Sequence, residues 1–147
     1  MGQGQSRLNV GKFLKIILIA VGILIILAAV FAFFKIKVDA KASLRDAKNV
    51  QMALRSADIE LYGKGKTIYD PTKKNGVADG VKELAGAIYT TEGSYTITAY
   101  NTASRDMTGM TFRQGKYVVY YTKHDDQVHW DVDYILNVYS LSETDNE

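Results

Sequence analysis

The chain has 147 residues, enough for a single domain, and its 18 Lys and Arg against 16 Asp and Glu leave a formal net charge of +2 that selects no class of partner. It contains no cysteine, which excludes a disulfide framework, a thiol nucleophile and a Cys-ligated metal site. Nine basic and four acidic residues lie up to Tyr62, nine and twelve lie beyond it, and from His124 onward there are seven acidic residues and no Lys or Arg, which argues against the clustered cations of a nucleic-acid footprint.

Residues 1–12 read as a short polar tail. Met1-Gly2-Gln3-Gly4-Gln5-Ser6 fits the N-myristoylation pattern, but ahead of a spanning helix the plainer reading is a Gly, Gln and Ser tail. Residues 13–34, Phe13 to Phe34, then predict a transmembrane helix. Within them Ile16–Phe34 runs nineteen residues without a charged or strongly polar side chain, close to the roughly 20 that cross about 30 Å of hydrocarbon. Lys12 and Lys15 precede the run and Lys35 and Lys37 follow it, placed to snorkel to either headgroup layer.

A cleaved signal has a shorter apolar core, and the nearest small-x-small site, Ala40-Lys41-Ala42, lies beyond Lys35, Lys37 and Asp39, so the segment reads as an uncut anchor. Basic residues are nearly balanced across it. A short tail without acidic residues beside a much larger head matches a signal anchor, with the N-terminus cytoplasmic and the C-terminal domain extracytoplasmic at the cell membrane.

Residues 35–62 contain neither Pro nor Gly, and Leu44, Ala47, Val50, Leu54, Ala57 and Leu61 recur at steps of three or four. That pattern predicts an amphipathic continuation of the membrane helix, about 50 residues and roughly 75 Å in all. Gly63 and Gly65 end it. With Met52 and Ile59 off the stripe, the stripe is expected to pack on the chain's own head, rather than on another copy as a coiled coil.

Residues 63–147 are expected to form a small α+β head. Lys64–Asn75 reads as a polar loop holding the Asp70-Pro71 turn, and Val77–Tyr89 as a short helix with Val81, Leu84, Ala85 and Ile88 inward. The period then changes to two. Tyr95, Ile97 and Ala99 alternate with Thr96, Thr98 and Tyr100, and Met107–Phe112 and Lys116–Thr122 flank Arg113-Gln114-Gly115 as a hairpin. From Gln127, Val128, Trp130, Val132, Tyr134, Leu136 and Val138 share one face, with His129, Asp131, Asp133 and Asn137 on the other. The expected fold class is therefore α+β: a long N-terminal helix, transmembrane then amphipathic, packed on an antiparallel sheet of about four strands.

The one cluster with metal-ligand chemistry is His124, Asp125, Asp126, His129, Asp131 and Asp133. Same-face neighbours on a strand lie roughly 6.5 to 7 Å apart, so a solvated polar face is the expected reading and no metal ligand is assigned. Asp131 and Asp133 have no apolar pocket in the sequence to split them into an acid and a base. Ser104, Ser140 and Ser142 lie in no nucleophile elbow, and there is no Gly-rich phosphate loop. Of the ten tyrosines, Tyr117 and Tyr121 alternate with Tyr120 as cross-strand packing requires, so most are expected to be structural. No catalytic residue and no cofactor is assigned.

An apolar N-terminal helix running unbroken into an amphipathic segment and then a small antiparallel sheet resembles bacterial type IV pilins and the pseudopilins of type II secretion. Asp46-Ala47-Lys48-Asn49-Val50-Gln51-Met52-Ala53-Leu54 looks like the pilin stretch just beyond the membrane, and Ile68-Tyr69-Asp70-Pro71 follows about where such chains leave the helix. In that family a Gly precedes the cleavage point, an aromatic residue begins the mature chain, and a Glu four residues later pairs with a neighbouring subunit's amine. Here Gly11 is followed by Lys12, and Ile16 stands at the acidic position, so the chain departs from the family at both sites.

The resemblance implies a non-enzymatic, single-pass structural protein of the cell envelope that assembles through its helix and exposes its head. Its expected partners are membrane lipid and copies of itself or related membrane helices, with no nucleic acid. The alternative is an anchored extracytoplasmic binding module that does not assemble and uses its Tyr-rich sheet for a peptide or sugar.

Overall fold

The computed structural model describes residues 10–135 and 139–146, and its contacts divide the chain into two units, Met1–Lys37 and Val38–Glu147. Helix α1 (Val10–Tyr62) runs unbroken through the boundary, and it begins three residues before the expected membrane segment. The Gly2 pattern lies outside the described residues. In the first unit the apolar side chains stand exposed around the helix, among them Phe13, Leu18, Ile25 and Phe31. The most apolar window has a mean hydropathy of 3.3 and none of it is buried, so by length and composition this helix is able to cross a membrane.

In the second unit, the outer part of α1 is amphipathic. Leu44, Ala47, Val50, Leu54, Ala57 and Leu61, the six residues of the expected stripe, are all buried, joined by Ala40 and Ala53. Met52 and Ile59 are 55% and 75% exposed, as their off-stripe positions require. The helix stops where the spacing places the stop. Gly65 takes the left-handed conformation (φ 67°), its N–H donates to Tyr62 O at 3.0 Å, and the Lys66 N–H donates to Leu61 O at 3.0 Å. These are the two bonds that satisfy the last carbonyls in a glycine-terminated helix.

The stripe packs on a sheet of five antiparallel strands in meander order: β1 (Ser94–Asn101), β2 (Asp106–Gln114), β3 (Tyr117–His124), β4 (Gln127–Tyr134) and β5 (Ser140–Asn146). The count is five rather than about four. The last alternating run ends at Tyr134 with a turn at Ile135, and β5 returns beside β4 through pairs such as Val132↔Leu141 and Trp130↔Glu143. Leu136, Asn137 and Val138 lie outside the described residues. The inner sheet face carries Ile97, Met110, Phe112, Val119, Tyr121, Trp130 and Val132, each at most 3% exposed, and these with the α1 stripe make the core.

The 63–80 segment covers the β1 edge. Tyr69 and Val77 form an isolated antiparallel bridge, and Asn75 O accepts from the Ile97 N–H at 2.9 Å. Gly76 sits at φ 64°, and a Cβ there would stand 2.2 Å from Ile97 O, so the close approach requires glycine. Helix α2 (Val81–Ile88) starts four residues later than the expected Val77, because Val77 serves the bridge and Gly80 is left-handed (φ 82°). Val81 and Ala85 are buried, but Ile88, expected inward, is 54% exposed.

Candidate functional site

The outer sheet face gathers His129, Asp131 and Asp133 of the sequence cluster, and each is held by a hydroxyl on β5. Ser142 Oγ donates to Asp131 Oδ1 at 2.7 Å and Ser140 Oγ to Asp133 Oδ1 at 3.0 Å, while Thr144 Oγ1 lies 2.7 Å from His129 Nδ1. His124 instead ends β3, and Asp125 and Asp126 form the β3–β4 turn, where Asp125 is left-handed (φ 53°). Among the described residues no three or more His, Asp or Glu converge as metal ligands. Ser142 also lies 3.5 Å from His129 Nε2, yet its proton is directed at Asp131. The arrangement is a cross-strand ladder of hydroxyls on an exposed face, not a nucleophile paired with a base.

The tyrosines divide between interior and edges. Tyr121 packs against Trp130 with ring centroids 4.8 Å apart, Tyr117 against Tyr134 at 5.3 Å, and Tyr69 stacks on Tyr100 at 5.6 Å. Of the β3 tyrosines only Tyr120 is exposed, at 40%. Burial, then the charge of Asp39, raises the Tyr117 hydroxyl above its ordinary pKa.

Three polar side chains of α1 secure the helix to the sheet, and no local pattern in the sequence marks them. Asp58, 8% exposed, accepts from Ile68 N–H (3.2 Å), Tyr100 OH (2.8 Å) and Arg105 Nη2 (3.2 Å). Arg105 also donates to Lys66 O at 2.7 Å and covers the Tyr62 ring at 4.7 Å. Burial and then the bond to Asp58 push the Tyr100 pKa up to about 12. Asp46 accepts from Tyr89 OH and Gln114 Nε2, both at 2.9 Å.

Lys48 bonds Glu143 at 3.0 Å and Asp145 at 2.9 Å and lies 5.6 Å from the Trp130 ring centroid. Burial lowers its pKa, but the hydrogen bonds and charges of Asp145 and Glu143 outweigh that and leave it raised.

With one face of α1 committed to the sheet, the opposite face carries Val38, Arg45, Met52 and Ile59 at intervals of seven residues, all exposed. The molecule thus belongs to the class of α+β chains in which one long helix supplies both a membrane-length apolar segment and half of a small core. No family model matches the chain, and none of the curated proteins or solved structures compared with it does either.

Proposed function

We propose that the chain is a non-enzymatic, single-pass envelope protein of pilin or pseudopilin type, inserted with its N-terminus cytoplasmic and its head outside, that assembles through α1 with copies of itself or related helices. The observation that carries this is the division of labour on α1. One face of its outer half is spent on the sheet, while Met52 and Ile59 remain exposed on the other. Exposed apolar side chains at helical spacing beside a membrane-length segment are accounted for by a partner helix. The hydroxyl ladder on the outer sheet face gives the non-enzymatic part of the reading its support.

Because the chain has no cysteine, single cysteines report unambiguously. Placed at Ile19, Ile23 and Ile26, and separately at Met52 and Ile59, they are expected to give cross-linked ladders in native membranes. Monomer at every position would sink the assembly. Determination of the mature N-terminus separates an uncut anchor from cleavage after Gly11.

A further inference from the structure

We propose that the groove between α1, α2 and the start of β1 is a binding site for a small carboxylic acid with a flat apolar body. The groove encloses about 260 Å³. That is just below the usual range of roughly 300–1,000 Å³ for ligand sites and fits a single ring. Its floor is Val50, Ala53 and Ala85, each 2–3% exposed, and the rings of Tyr89 and Tyr95 contribute its walls. An apolar, flat body is what such a floor and walls accept.

Gly86 is the second indication. It lies inside α2, where glycine is the poorest helix former after proline. A Cβ built on it meets nothing within 4 Å, so packing does not require glycine there. Gly93, also on the groove, differs: a Cβ there would stand 2.3 Å from the Phe112 ring. Gly86 therefore leaves bare a wall that any side chain would fill.

The polar groups select the ligand's charge. Among the described residues Lys82 is the only charged side chain lining the groove, and no carboxylate or amide side chain lines it. The Tyr95 hydroxyl has no protein partner among the described residues. Burial, with a smaller contribution from Glu83, raises its pKa, so it is a proton donor at neutral pH. An ammonium and a phenol lining the groove, with the Glu83 carboxylate near Tyr95 but outside the lining, suit an acceptor-rich anion. The site lies wholly within the Val38–Glu147 unit and stands whether or not α1 assembles.

The test is an amide-shift titration of the full chain in micelles, with benzoate as probe and benzamide as its neutral counterpart. Saturable shifts are expected at Gly86 and Ser94, with benzoate preferred by about threefold, the scale of one solvent-exposed ion pair. Gly86→Leu, which grows a better helix former into the groove, should abolish the shifts without lowering the melting temperature, while Lys82→Gln removes only the preference for the anion. Absence of saturable shifts with benzoate, or shifts unchanged by Gly86→Leu, overturns the site. Equal binding of the two probes, or a preference that survives Lys82→Gln, overturns the carboxylate assignment.

Discussion

At the β1 side of the sheet, Asp58 collects donors from a loop backbone, a tyrosine and an arginine while itself only 8% exposed, whereas at the β5 side Lys48 reaches two carboxylates that are 40% and 49% exposed. Both tie the same helix to the same sheet. The first replaces water with fixed partners and leaves costly orphans if it is broken, and the second competes with water at every moment. The β1 side is further closed by the 63–80 segment through the Ile97–Asn75 bond, while β5 pairs only with β4. On the β1 side Arg105 also holds φ 53°, outside the region comfortable for a side chain, and the contacts of its guanidinium offset that cost.

The contrast predicts a hierarchy of losses, read from denaturant unfolding of the full chain in micelles with its single tryptophan, the buried Trp130, as reporter. Asp58→Ala removes an acceptor from three donors and is expected to cost about 3 kcal/mol, the low end for breaking a mostly buried pair. A loss under about 1 kcal/mol would place the Asp58 cluster with the exposed pairs and erase the difference between the edges.

Gly76→Ala should cost about 2 kcal/mol, since it combines a left-handed backbone with a Cβ driven onto Ile97 O. The same change at Gly65, also left-handed but with nothing within 4 Å of its Cβ, should cost less. Equal losses would mean that backbone strain alone, without the close approach to β1, sets the effect.

Tyr100→Phe sharpens the comparison through pH. At neutral pH it loses one hydrogen bond to Asp58, about 1 kcal/mol. The folded-state pKa of Tyr100 is about 12 against an ordinary 10.0, so its raised value contributes stability that is complete below pH 10 and is lost as pH climbs through 12. Unfolding curves of the parent chain should therefore weaken across that window, and those of the phenylalanine variant should weaken less. Parallel pH profiles would show that Tyr100 titrates no differently in the folded head.

These contacts explain what sequence reading reaches and what it does not. The apolar segment, the α1 stripe and the glycine stop are local patterns of fixed period, and each is found where its spacing puts it. Strand β5 escapes because Ser140-Leu141-Ser142-Glu143-Thr144-Asp145-Asn146 has a single apolar residue, as an edge strand facing solvent allows. Its signal resides in its pairing with β4, not in its own composition. The Asp58 cluster escapes because its partners lie 10, 42 and 47 residues away, and no periodicity connects them. The groove escapes for the same reason, since α1, α2 and β1 become neighbours only in the fold.

The smallest expected effect tests the exposed side. Lys48→Met keeps the aliphatic stem beside Trp130 and removes the ammonium from Glu143 and Asp145, so it should cost only about 0.5 kcal/mol at low salt and nothing measurable at high salt. The sign of its pH dependence follows from the raised pKa: the contribution is complete below the ordinary 10.5 and disappears as pH rises above it. Methionine at position 48 should therefore remove a small alkaline decline and leave the acid side of the profile to the carboxylates. A loss of 2 kcal/mol or more that persisted in high salt would show that β5 is fastened as firmly as β1, and the two edges would then differ in exposure but not in strength.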